Sequence, residues 1–234
     1  ANFMADKLVN PEFPDINHDL SFFIDHYPAA YTIDRSRGAN PIRQELENLN
    51  DAGSLYGSII YHKAPLMMRQ LEALIGEDNF RTGIREYIKT YADGNADWTD
   101  LVAILDKNTE LDLKTWSEVW VNSPGRPVIS SRVLYDDLNR IRSFDLEQKA
   151  EDGSGNVWPQ VFDIALVYPD SVRTLTVSLK EQKLRLAEAE GLPEPERVIF
   201  NSNGMGYGVF PVTDQELKSV STIKSEVARA SQYV

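Results

Sequence analysis

Cysteine is absent from all 234 residues, which excludes disulfides and thiolate metal sites. Histidine is nearly absent: His18, His26 and His62 are the whole set. None belongs to an H-E-x-x-H or another metal-spaced set. His18 and His26 flank a helix start and raise a joint metal site only as a minor reading, and His62 reads as an exposed helix histidine. No run approaches the roughly 20 apolar residues of a membrane span. No basic segment followed by an apolar one opens the chain as a signal peptide would. Clusters of Lys and Arg are missing as well. The 36 acidic residues outnumber the 24 basic ones, for a net charge of −12. That acidity is spread along the chain and argues against a nucleic-acid partner, whose phosphates need grouped cations. There is no G-x-S-x-G, no P-loop and no G-x-G-x-x-G. The Gly204–Gly208 stretch (GMGYG) follows a strand pattern but opens no helix, so it reads as a turn or bulge. No pair of carboxylates stands out as an acid/base couple.

What is present is an ordinary globular composition, 42% hydrophobic and 26% charged. The longest helical-period segment is Leu55 to Leu74, LYGSIIYHKAPLMMRQLEAL. Ile60, Ala64, Met67, Leu71 and Leu74 form one stripe at steps of four and three. Pro65 interrupts it, because a proline lacks an N–H and crowds the carbonyl four residues back, here that of Tyr61. A kink, or a fresh helix start near Ala64, is expected just after Tyr61. That places the Tyr61 phenol at an irregular point on a rigid element, where a site can be held. A core tyrosine with a satisfied hydroxyl is the plainer reading of the spacing.

The flanking chain divides by period. Residues 1–126 read as helix and connection. Ala1 to Val9 has helical spacing with no N-cap before it, as in a piece of a longer chain. A helix from Asp19 is expected to end before Pro28. Gly76 reads as a stop, and Asp97 and Asp112 as N-caps of two further helices. After the turn cluster Ser123 to Pro127 the period becomes two. Strands are expected at 128–135, 141–149, 158–168, 172–180, 197–201 and 207–211. Short strands with frequent turns suggest an antiparallel β-sandwich over residues 127–211. From Asp214 a helix with Leu217, Val220, Ile223 and Val227 on one side starts a further helical part, 212–234.

The stretch SLYGSIIYHKAPLMMRQLEALIGEDNFRTGIREYI resembles the segment downstream of the zinc site in the aminopeptidase-N-like metallopeptidases, gluzincins with a thermolysin-like catalytic domain. In that family a tyrosine, one residue, Lys-Gly-Ala, and a helix ending in Leu-Gly-Glu and Phe follow one another. Tyr61, Lys63, Gly76, Glu77 and Phe80 stand at those places. WSEVWVNSPGRPVI is similar to the family's Trp-rich exit into its β-sandwich. Trp158 to Tyr168 resembles the sandwich strand that follows a Gln-containing one, and ANFMADKLV the helix after the Asn-Glu-Gly-Phe-Ala motif. The one departure is Lys63-Ala64-Pro65 where Lys-Gly-Ala is usual.

The resemblance implies the helical C-terminal portion of a thermolysin-like catalytic domain, a β-sandwich, and the start of a C-terminal helical domain. It implies Zn2+ in a longer parent, with all its ligands before Ala1 and none in this fragment, and peptides as substrates. Zinc polarises the scissile carbonyl and activates water in such enzymes. Tyr61 matches the tyrosine whose hydroxyl meets the oxyanion of the tetrahedral intermediate. Tyr56 matches a second tyrosine near the site in some members, a candidate for substrate contact. The expected function is therefore a fragment, itself inactive, of a zinc aminopeptidase. The alternative is a non-catalytic scaffold or protein-interaction module that retains the architecture.

Overall fold

The computed structural model describes residues 2–46, 48, 50 and 57–234. Helices fill the first half: α1 Asn2–Val9, α2 His18–Asp34, α3 Ala64–Ile75, α4 Glu77–Thr90, α5 Trp98–Asp106 and α6 Leu113–Trp120. The caps follow the expected chemistry. Asp97 accepts from the Asp100 backbone in a full capping box, and Asp112 accepts from Thr115 N–H. Gly76 ends α3 at φ 86°, a conformation open to glycine at little steric cost. Pro28 does not end α2, which continues one and a half turns beyond it. Pro28 and Ile24 both lie on the exposed side, where water can serve the carbonyl that Pro28 leaves without its helical donor. Meanwhile Phe23, Tyr27, Tyr31 and Asp34 bury the opposite face.

The second half is built on antiparallel strands. β1 Pro127–Tyr135, β2 Ile141–Ala150 and β5 Lys183–Arg185 form one sheet, in the order β1-β2-β5. β3 Gln160–Val167, β4 Val172–Leu179 and β6 Arg197–Ile199 form the other, in the order β4-β3-β6. The fold is thus mixed: helices, then two small antiparallel sheets. Strict alternation in β4 buries Leu175, Val177 and Leu179 and exposes the residues between. Phe144 and Leu146 from one sheet and Phe162, Ile164 and Leu166 from the other share a single core cluster. The expected strand at 207–211 is reduced to a bridge between Val209 and Val128, because its residues turn toward the helical half. The helix expected from Asp214 is broken into α7 Asp214–Lys218, a 3-10 turn Val220–Thr222 and α8 Glu226–Ser231. Ser219, Thr222 and Ser225 bond local backbone groups and offer the chain alternatives to a continuous helix.

The two halves meet across a seam that is both apolar and polar. Trp158 and Tyr207 from the strand half join the helical core. Trp120 donates its indole N–H to Pro159 O at 2.8 Å and packs edge-on against both rings. Within the seam lies a fully buried ion pair, Lys63 Nζ to Asp34 Oδ2 at 2.7 Å, with both side chains 0% exposed. Lys63 also donates to Gly125 O at 2.8 Å, and Tyr207 OH donates to Asp34 Oδ2 at 2.8 Å. Gly125 N–H completes the set on Asp34 Oδ1 at 3.3 Å. Nearby, Tyr31 OH donates to Gly208 O and accepts from Gly208 N–H. Gln70 Oε1 accepts from Val161 N–H at 2.9 Å, while its amide donates to Val161 O and Met205 O.

Asp34→Asn leaves the Lys63 ammonium buried without its counter-ion. Breaking a buried pair from one side costs about 3–5 kcal/mol, read as a lower urea midpoint. Adding Lys63→Met removes the orphaned charge, so the double variant is expected to be more stable than Asp34→Asn alone. A double variant less stable than the single would refute this view of the pair. At Gly208, φ is 145° and an added Cβ would lie 2.6 Å from Pro127 O, a backbone atom that cannot swing away. Gly208→Ala should cost about 1–3 kcal/mol and lower Tm, and an unchanged Tm would contradict the close approach at this point.

Candidate functional site

Tyr61 sits in a π turn, Ile59–Lys63, that runs directly into α3 at Ala64. The geometry follows from Pro65. An α-helix would bond the Tyr61 carbonyl to the N–H of residue 65, which proline lacks. The turn widens instead, and Ala64 N–H reaches Ile59 O five residues back. Asn2 of α1 donates to the Tyr61 carbonyl through a long 3.4 Å contact. Both the break near Ala64 and its position just after Tyr61 agree with the reading of Pro65. Tyr61 is 48% exposed, so the residue is not sealed in the core.

The residues after Tyr61 fix the turn on two sides. Lys63 is held in the seam by Asp34 and Gly125. Burial pulls the Lys63 pKa down, and the Asp34 charge opposes that pull. Around the pair, burial raises the phenol pKa of Tyr207 and of Tyr31. Both hydroxyls therefore keep their protons and act as donors, Tyr207 to Asp34 and Tyr31 to Gly208. Arg126 lies over the Tyr31 ring, 4.7 Å from its centroid, and pairs with Glu151 at 2.6 Å. On the other side of the turn, His62 Nδ1 stands 3.1 Å from His26 Nδ1 on α2. His62 is half-buried against that ring, which corrects the expectation of an exposed helix histidine. His26 is lowered below the usual histidine value by burial first and by His62 second, while Asp6 and Asp25 act the other way.

His18 and His26 are not brought together, since His18 Nε2 contacts Phe13 O at 2.7 Å and His26 faces His62. Tyr56 lies outside the described residues. Among the described residues no group of three His, Cys, Asp or Glu could hold a metal ion, and no helix is long and apolar enough to cross a membrane. Asp34 and Gln70 were missed as functional supports by sequence reasoning, yet a signal existed. Asp34 continues the apolar face of Phe23, Tyr27 and Tyr31 on α2, and Lys63 and Gln70 fall within the buried stretch around α3. A polar group on an apolar face must find a partner.

Comparison with known proteins gives this arrangement a family. Aminopeptidase N of Streptomyces lividans is 33% identical over 204 residues, covering 82% of this chain and 24% of that protein. Puromycin-sensitive aminopeptidase of Caenorhabditis elegans is 26% identical over 224 residues, 94% of this chain and 24% of that protein. Leucyl aminopeptidase of Saccharolobus solfataricus is 25% identical over 217 residues, 93% of this chain and 27% of that protein. The chain thus spans about a quarter of the length of these relatives. Residues 1–120, which carry the π turn and its supports on α1 and α2, match the Peptidase family M1 domain. Taken with the match to aminopeptidase N across most of its length, this places the chain in the M1 peptidase family.

Proposed function

We propose that the chain is part of a zinc-dependent aminopeptidase that removes N-terminal residues from peptides, and that Tyr61 is its catalytic hydroxyl. Residues 1–126 are the helical C-terminal portion of a thermolysin-like catalytic domain, 127–211 its β-sandwich, and 212–234 the start of a helical domain. The M1 family is zinc-dependent in general. Among the described residues no group of three His, Cys, Asp or Glu could hold a metal ion; the zinc ligands are proposed to lie in other parts of a longer polypeptide, and this chain alone is expected to be inactive.

The observation that carries the reading is the combination of a half-exposed tyrosine with an anchored backbone. Tyr61 is 48% exposed, while Lys63, two residues on, is buried completely in an ion pair. A hydroxyl donor helps catalysis only if it already points where negative charge will develop, because reorienting it during reaction would consume the gain. In peptide hydrolysis that place is the oxygen of the tetrahedral intermediate, which the phenol O–H can meet by hydrogen bonding. Anchoring on Asp34, on Gly125 and on α1 supplies the preorganisation. Tyr56 is proposed as a substrate contact because it matches a second tyrosine near the site in some members of the family it resembles.

Losing one such donor typically costs about 10²–10³ in kcat. In the longer polypeptide, Tyr61→Phe should lower kcat by at least two powers of ten, with bound zinc unchanged when measured by metal analysis. Turnover close to wild type in that variant would remove Tyr61 from the reaction.

A further inference from the structure

The contact between His26 and His62 has a chemistry of its own. The two Nδ1 atoms are 3.1 Å apart, with the rings inclined at 56°. A hydrogen bond between like nitrogens requires that one carry a proton and the other offer a lone pair. In the neutral pair one ring is therefore the Nδ1–H tautomer and the other the Nε2–H tautomer. A first added proton can settle on the free Nε2 of the donor ring and leave the shared bond intact. A second has no free lone pair except the accepting Nδ1. It would set two N–H groups and two positive charges face to face at this distance.

Every packed element contributes charge here. Asp6 comes from α1, Asp25 from α2 itself, and His62 from the π turn. From α3, Arg69 covers the ring of Phe22, whose edge meets His26, and pairs with Asp19. The carboxylates favour a proton on His26. Burial of the ring and a charged His62 oppose it, and these prevail.

We infer that His26 is a positioning residue for Tyr61: through its N–H···N bond to His62 it clips the phenol-bearing π turn to α2, and double protonation of the pair opens that clip. The geometry makes the link short, because His62 is the neighbour of Tyr61 within one five-residue turn. Lys63 secures the end of the turn that leads into α3, and Asn2 of α1 reaches the Tyr61 carbonyl through a long 3.4 Å contact. The clip is complete above the ordinary histidine value of about 6.5. It opens as pH falls below that value. The sign follows from linkage, since an unfolded or opened histidine binds the proton more readily than the buried one. The catalytic consequence rests on the role proposed for Tyr61, whereas the structural coupling does not.

The test is a pH titration of the 234-residue chain by NMR between about pH 4.5 and 8, spanning the ordinary histidine range. Imidazole nitrogens and tyrosine ring carbons are followed, with Tyr61 identified by its loss in Tyr61→Phe. The expected result is a Tyr61 signal that shifts with the same midpoint as His26, below the ordinary histidine value of about 6.5. In His26→Gln, that component should vanish while any direct effect of His62 on its neighbour persists. A Tyr61 signal indifferent to the His26 midpoint in the wild-type chain overturns the inference, and this arm needs no variant to fold. So does a Tyr61 shift at the wild-type His26 midpoint that survives unchanged in His26→Gln. In the longer polypeptide, His26→Gln should move the acidic limb of the kcat profile with KM unchanged. Should Tyr61→Phe retain full turnover while the NMR coupling is present, the proposed role of Tyr61 falls and the clip stands.

Discussion

The rest of the structure depends on two opposite charges enclosed where no water reaches them. Removing Asp34 and Lys63 from solvent costs several kcal/mol for each ion, and Coulomb attraction offsets that only when the remaining donors and acceptors are satisfied. Here they are. Asp34 accepts from Lys63, Tyr207 and the Gly125 amide, and Lys63 donates to Asp34 and to the Gly125 carbonyl. The Lys63 ammonium also faces the Tyr207 ring at 5.4 Å. These four groups come from α2, the π turn, the 123–127 turn and the segment after β6. A pair of this kind contributes less as net stability than as a condition on the arrangement, because displacement of one partner strands another. The helical half, the strand half and the turn that carries Tyr61 are therefore set by one cluster.

Much of the fold was legible in local sequence because local chemistry decides it. Asp97 and Asp112 cap helices by reaching backbone N–H groups within one turn. Alternation in β4 separates a buried face from an exposed one, while β3 keeps Phe162, Ile164 and Leu166 buried with no exposed residue among them. Pro65 announced the irregularity after Tyr61 through the bond it cannot make. Failures arose where distant packing overruled a local signal. Pro28 looked like a helix end, but the buried face of α2 carries the helix through it. Tyr207 looked like a strand residue, but its hydroxyl is committed to Asp34, 173 positions away. Residues 183–185 are too short and too polar to announce a strand, and pair only because β2 offers its edge.

The candidate site was legible in part for the same reason. Tyr61 came from resemblance and from Pro65, both readable along the chain. Its supports were not, since Asp34, Gly125 and His26 approach the turn only in three dimensions. The contrast between a partly exposed Tyr61 and a buried anchor two residues later is what the proposed role of a preorganised donor requires, and the chain belongs to the M1 peptidase family. The chain spans about a quarter of the length of these relatives, and on the proposed reading it contributes the Tyr61 hydroxyl and the scaffold that holds it.

The most direct measurement is a crystal structure of the longer polypeptide with a phosphinic peptide, whose tetrahedral phosphorus carries oxygens where the intermediate would carry its oxyanion. Tyr61 Oη is expected about 2.7–3.1 Å from one of those oxygens, with the Lys63–Asp34 pair unbroken. A phosphinate held with Tyr61 turned away, its oxygens met by other donors, would contradict the role of this phenol.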